Sequence, residues 1–152
     1  MGIVEDIHQR KDFRSQHHKV HVNILYSSSW ILEKVKEFLE NEEITPQQYN
    51  ILRILKGSRP VPISTLQIRE RMLDKMSDTS RLVDRLVKKG LVEKNINQID
   101  KRLVDVSISE KGLEVLDRLD ERNSELDSIT KRLTIAEALL MNELLDKMRG
   151  TI

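Results

Sequence analysis

The sequence predicts a mainly α fold with a small β-hairpin wing: a winged helix-turn-helix with N- and C-terminal dimerisation helices. Three observations predict it. Between Ile63 and Gly112, two short capped segments of helical periodicity are followed by two strand-like runs around an Asn/Gln/Asp-rich link. The second of those helices is basic, with Arg81, Arg85, Lys88 and Lys89, and the link carries Asp100, Lys101 and Arg102. On both sides lie amphipathic stretches with more apolar stripe than so small a centre can cover.

A first long helix is expected over about 15–40. Val20, Ile24, Ile31, Val35 and Phe38 recur at intervals of three, four and seven, and Leu25, Leu32 and Leu39 widen the stripe. Such a helix is about 39 Å long, which suggests that part of it packs on a second subunit. Thr45-Pro46-Gln47-Gln48 is a helix start, with Thr at the cap, Pro in the first turn and Gln three residues on. Tyr49, Leu52 and Leu55 supply the apolar face of that helix, and Gly57 is expected to stop it before the stiff loop holding Pro60 and Pro62. Ser64-Thr65-Leu66-Gln67 repeats the capping pattern and opens a helix to about Leu73, with Ile68, Met72, Leu66 and Leu73 expected to face inward.

Ser77 is expected to cap the next helix. Leu82, Val83 and Leu86 form its buried side with Thr79 near it, Ser77, Arg81, Asp84 and Lys88 lie opposite with Arg85 at the flank, and Gly90 ends it. Strands follow over about 91–96 and 103–108. Ser109 then opens what reads as one long helix, in which Leu116, Leu119, Leu126, Ile129 and Leu133 fall near a heptad stripe that polar Asn123 interrupts. Thr134-Ile135-Ala136-Glu137 starts a terminal helix. Residues 1–152 are expected to form a single domain, with a DNA-binding lobe over about 44–108 and a helical dimerisation region over about 15–40 and 109–152.

The composition narrows the function classes. At 152 residues, 38% hydrophobic and 34% charged, the chain suits a helix-rich soluble protein with large solvated faces. No apolar run approaches the roughly 18 residues needed to span a bilayer, and the polar N-terminus lacks a signal-peptide apolar region. The absence of cysteine excludes disulfides, thiolate metal sites and thiol redox sensing in this chain and fits a cytoplasmic location. The net charge is only +1, but it is unevenly spread. Residues 64–102 carry ten Lys/Arg against six Asp/Glu, while residues 103–152 carry seven against eleven. A local basic patch is what a nucleic-acid footprint requires. No nucleophile elbow, phosphate loop or metalloprotease motif is present, so an enzyme is not expected.

Three blocks resemble a known family. Ile44-Thr45-Pro46-Gln47-Gln48-Tyr49-Asn50-Ile51-Leu52-Arg53-Ile54-Leu55 resembles the second helix of MarR-type (multiple-antibiotic-resistance) transcriptional regulators. Ser80-Arg81-Leu82-Val83-Asp84-Arg85-Leu86-Val87-Lys88-Lys89-Gly90-Leu91-Val92 resembles their recognition helix and its exit. Asp100-Lys101-Arg102 with Ser107-Ile108-Ser109-Glu110-Lys111-Gly112 resembles their wing and the start of the following helix. The resemblance implies a homodimer built from the terminal helices, two lobes on a pseudo-palindromic operator, repression of nearby genes and release by a small-molecule effector. The wing departs from the family pattern, because Asn95-Ile96-Asn97-Gln98-Ile99 brings little positive charge ahead of Asp100.

The expected DNA-binding residues are Ser64, Thr65, Ser77, Asp78, Thr79, Ser80, Arg81, Arg85, Lys88, Asp100, Lys101 and Arg102. A wing arginine can enter a narrow minor groove, and Asp100 stands two residues away, where it can orient the Arg102 guanidinium. Arg81 either pairs with guanine or forms an ion pair with Asp78 or Asp84. Asp84 is expected to pair with Arg81 or Lys88, since a free carboxylate would repel phosphate. Arg85 and Lys88 suit backbone contacts. The Ser64 hydroxyl reads equally as a cap, and capping is the preferred reading of the Ser77 hydroxyl. Tyr26 and Trp30 are the candidate effector-pocket residues, with a core or interface role as the alternative. His17, His18 and His21 have metal-like spacing, but no cysteine or carboxylate motif accompanies them; a solvated helix face is expected and no metal or cofactor is assigned. The expected partners are double-stranded DNA, a second copy of the chain and a small-molecule effector, with no membrane. The alternative is a winged-helix dimer acting as a protein-interaction module.

Overall fold

Ser15 begins the first long element. In the computed structural model, which describes residues 2–151, its hydroxyl accepts from the backbone N–H of His18 at 3.1 Å and starts α2 (Gln16–Leu39), as its position before the apolar stripe predicts. A short helix, α1 (Ile3–Asp6), precedes it and buries Ile3; no periodic pattern announces so short an element. Within this chain only the last residues of α2, Phe38 and Leu39, are buried. Val20, Leu25 and Leu32 are about half exposed, at 50%, 61% and 47%.

A 3-10 turn (Glu40–Glu42) leads to α3 (Pro46–Ser58), opened by a reciprocal capping box between Thr45 and Gln48. The helix runs through Gly57 rather than stopping there. It ends where Arg59 turns extended ahead of Pro60, because the proline ring disfavours helical backbone in the residue before it. A second capping box, Ser64 with Gln67, opens α4 (Thr65–Arg71). Ile68 and Met72 are buried as expected, but Leu66 and Leu73 are 62% and 87% exposed. Leu66 lies two residues before Ile68, about 200° round the helix, and Leu73 lies beyond the helix end, so neither shares the buried face.

The next helix, α5 (Thr79–Lys88), is capped by Asp78 rather than Ser77: the Asp78 carboxylate accepts from the Arg81 N–H at 3.2 Å. Ser77 instead closes a turn by donating its N–H to Asp74 O at 3.2 Å. Val83 and Leu86 face the core, Leu82 is half-buried, and Gly90 takes the left-handed conformation at φ +74° that ends the helix. Strands β1 (Val92–Ile96) and β2 (Val104–Ile108) pair antiparallel, with Val92 opposite Ile108, Lys94 opposite Val106 and Ile96 opposite Val104. Ile63 adds a bridge to Val106 with N···O distances of 3.1 and 2.8 Å, which ties the loop before α4 to the hairpin. Leu39, Ile51, Leu52, Ile68, Leu86 and Leu116 lie in the buried core between these elements.

Ser109 caps α6 (Glu110–Asp120) and forms a joint with the exit of α5. Its N–H donates to Leu91 O at 3.0 Å, its hydroxyl donates to Gly90 O at 2.6 Å and the same oxygen accepts from Gly112 N–H at 3.1 Å. Lys111 Nζ adds a bond to Lys89 O at 3.1 Å. The expected single long helix from Ser109 does not form. Its winding breaks at Glu121 and Arg122, where the Arg122 N–H bonds Leu119 O three residues back, at 2.9 Å. The break comes just before Asn123, where the heptad stripe is interrupted, and the last fully buried leucine of the segment is Leu119. After it come α7 (Asn123–Asp127), a 3-10 turn (Ser128–Thr130) and α8 (Ile135–Arg149), the last with the expected Thr134–Glu137 capping box. Leu139, Leu140, Met141, Leu144 and Met148 of α8 are all between 48% and 60% exposed.

The N-terminal and C-terminal helical segments meet each other through specific contacts. Arg118 donates two hydrogen bonds to Glu42, both 2.8 Å, and the Arg122 guanidinium lies 4.8 Å from the centroid of the Phe38 ring. Among the described residues no helix is long and apolar enough to cross a membrane.

Candidate nucleic-acid interface

The presented face of α5 follows from its helical phase. With Val83 and Leu86 held in the core, Ser80, Arg81, Asp84, Arg85 and Lys88 are exposed. Among the described residues Arg81, Arg85 and Lys88 form no ion pair. Asp84 is not paired with Arg81 or Lys88 as expected. Its carboxylate takes Lys94 Nζ of β1 at 2.9 Å, so the one acid on this face is neutralised by the hairpin. Strand alternation puts Lys94 on the same side as the buried Val92, toward the lobe, and that pattern was the available signal for this contact.

The residues at the helix start divide. Asp78 is occupied in capping. Thr79 is only 4% exposed, and the hydroxyls of Ser77 and Thr79 are both buried without a hydrogen-bond partner among the described residues. Burial removes these two hydroxyls from the presented surface. Ser80 and Arg81 remain on it. Ser64 uses its hydroxyl to cap α4, and Thr65 beside it is half-buried.

The wing tip is a braced loop. Asn97 Oδ1 accepts from the N–H groups of Ile99 and Asp100 at 2.9 and 2.8 Å, and its Nδ2 donates to Asp105 at 3.0 Å. Asn97 N–H donates to Leu103 O and Leu103 N–H to Asp100 O, both at 3.0 Å. Asp100 then grips Arg102 through three bonds: backbone N–H at 3.1 Å, Nε at 3.0 Å and Nη2 at 2.9 Å. The Arg102 side chain is 89% exposed, so the pair orients the guanidinium without covering it. The hydrogen bonds from Arg102 hold the Asp100 carboxyl below its usual range and raise Arg102 in turn. Asn97 was missed in the sequence; its signal is the ability of an Asn side chain to bond the backbone two residues on.

Tyr26 and Trp30 are 40% and 42% exposed on α2. Trp30 lines an open cleft of about 750 Å³ with Phe38, Lys34, Arg122, Ile129 and Arg132, whereas Tyr26 is outside that lining. His17 and His21 are exposed, and His18 packs edge-on against Phe13 with ring centroids 5.3 Å apart. Among the described residues no group of three or more His, Asp or Glu side chains is placed to hold a metal ion.

Comparison with known proteins places this architecture. Residues 44–104 match the MarR family model. HTH-type transcriptional repressor MdtR of Bacillus subtilis is 33% identical over 82 residues, which span 54% of this chain and 52% of MdtR. The uncharacterized HTH-type transcriptional regulator YpoP of the same organism is 26% identical over 140 residues, covering 86% of this chain and 96% of YpoP. Among solved structures, a mutant MarR from E. coli complexed with operator DNA superposes with a TM-score of 0.80 at 23% identity, covering 91% of this chain and 99% of that one. The matched region, the winged helix that contains it and the agreement in fold along nearly the whole length lead to one conclusion: residues 44–104 are similar to the MarR family model, and the chain has the winged-helix fold of the MarR structure it superposes on.

Proposed function

We propose that the protein is a sequence-specific DNA-binding repressor that grips a pseudo-palindromic operator as a homodimer. One observation carries the reading: among the described residues Arg81, Arg85 and Lys88 of α5 stand exposed without ion partners, and beside them a braced wing holds Arg102 outward. The helix suits a major groove and the wing arginine a minor groove. Ser80 and Arg81 read base edges. Arg85, Lys88, Lys101 and Thr65 contact the backbone. Repression follows the likeness to MdtR.

The homodimer rests on the uncovered apolar faces of α2 and α8, which leave Leu25, Leu32, Leu139 and Leu144 between 47% and 61% exposed in a single chain. The Trp30 cleft is the effector site in this reading. Its lining joins Trp30 and Phe38 to Arg132 and to two ion pairs, Lys34 with Glu37 and Arg122 with Glu125, and so suits an aromatic ligand with polar groups at its edge.

The test is fluorescence-anisotropy titration against DNA from upstream of the gene and against a scrambled duplex, at several salt concentrations. Tight, salt-sensitive binding that prefers the native duplex, with two protomers per site, is the expected result. Absence of binding at low salt would replace this reading with a protein-interaction module.

A further inference from the structure

We propose that Ile99, at the tip of the wing, is a minor-groove contact residue that packs on the deoxyribose wall beside Arg102 and adds an uncharged contribution to recognition. This rests on the DNA-binding reading above and names a contact that reading does not contain.

Ile99 is 98% exposed, the most exposed large apolar side chain among the described residues. A lone exposed apolar side chain on a loose loop needs no explanation. Ile99 differs because the backbone around it is fixed: its own N–H and that of Asp100 are both held by Asn97, and Asn97 is held by Asp105. The loop therefore spends its polar groups on presenting an isoleucine to solvent. Ile96 and Val104, opposite each other in the register, are 62% and 36% exposed, and Leu103 is 48% exposed, so the outer wing has an apolar flank.

The occupant follows from charge and shape. Three residues after Ile99 stands Arg102, and Lys101 lies between Asp100 and Arg102; the Asp100 carboxylate is engaged by Arg102, so the outward charge is positive. The surface that complements it must be anionic at its rim and apolar within. A DNA minor groove, about 6 Å wide, has phosphates along its edges and sugar C–H groups as walls. A two-stranded hairpin tip is slim enough to approach it, and a β-branched side chain loses little rotamer freedom on docking. The wing that is poor in charge ahead of Asp100 thus replaces part of an electrostatic grip with apolar contact, which salt does not screen.

The experiment uses the full chain and a duplex selected from a randomised pool by the wild-type protein. Affinity is measured across a salt series for wild type, Ile99→Ala, Ile99→Val and Arg102→Ala, with melting temperatures confirming that the folds are equal. Ile99→Ala is expected to weaken binding about fivefold for each wing engaged, with the salt slope unchanged, while Ile99→Val keeps most of the affinity. Arg102→Ala is expected to lower both affinity and slope. Wild-type affinity in Ile99→Ala, with Arg102→Ala still impaired, overturns the Ile99 assignment alone. If the wild type enriches no duplex and shows no salt-dependent binding, the DNA-binding reading falls and takes this inference with it.

Discussion

Adding one methyl group at Gly112 tests the joint between α5 and α6. A Cβ there would stand 2.3 Å from Leu91 O and 2.7 Å from Ile108 Cγ1. The first neighbour is a backbone oxygen that already accepts from Ser109 N–H at 3.0 Å, so it cannot swing aside. Relief requires α6 to draw back by about 1 Å. Overpacking of this kind costs about 1–3 kcal/mol, and loosening the Ser109 bond costs about 1 kcal/mol more. Alanine returns about 1 kcal/mol through its helix preference over glycine. Gly112→Ala should therefore lose about 2 kcal/mol, or about 4–8 °C in Tm for a chain of this size. Gly57→Ala is the internal control, because nothing lies within 4 Å of a Cβ at that position in α3. It should gain about 0.5 kcal/mol. Urea unfolding at fixed protein concentration reads both variants. A Gly112→Ala protein within 0.5 kcal/mol of wild type would refute the close approach as a constraint.

Other predictions concern recognition and acid stability. Arg102→Ala should weaken operator binding and reduce its salt slope without altering oligomeric state; sedimentation and anisotropy together check this, and an unchanged slope would remove the wing from the phosphate and groove contacts. Arg81→Ala should flatten base preference at one position of each half-site across a mutated-operator set, by about 1–3 kcal/mol of lost discrimination. Two carboxyls with lowered pKa values tie elements together: Glu42, through its hydrogen bonds from Arg118, joins the N-terminal segment to α6, and Asp120, where burial opposes but Lys56 and Arg53 outweigh it, joins α6 to α3. A carboxyl whose folded pKa lies below its unfolded value stabilises the fold above the unfolded value, near 4, and that stability is lost as pH falls through the folded value. The urea midpoint should therefore hold between about pH 7 and pH 5 and drop below about pH 4, and Glu42→Gln should shallow that drop.

Much of the lobe was legible because its signals are local. The Thr45–Gln48, Ser64–Gln67 and Thr134–Glu137 capping boxes are four-residue patterns that stand where the sequence places them. The hairpin follows from alternation in two runs, and the Asp100–Arg102 grip from a spacing of two. What escaped depends on tertiary geometry. Asp84 finds Lys94 because β1 turns back along α5, a proximity that no helical wheel contains. Thr79 lies in the interior, four residues before Val83 and seven before Leu86 on the same helical face, so its expected DNA contact competed with a helical phase that already placed it near the buried side. The break at Arg122 accompanies the stacking of its guanidinium on Phe38, a contact with α2 more than eighty positions earlier in the chain.

The Ser109 joint bears on how a distant event could reach the reading surface. Three successive carbonyls at the exit of α5, those of Lys89, Gly90 and Leu91, are held by the first residues of α6. Those three bonds join the exit of α5 to the start of α6. A tilt imposed on α6 would pull on α5 through them. In a paired assembly two such arms would meet a target whose grooves repeat about every 34 Å. A change of a few degrees where the arms converge, multiplied along their length, would then decide whether both heads land in register or only one.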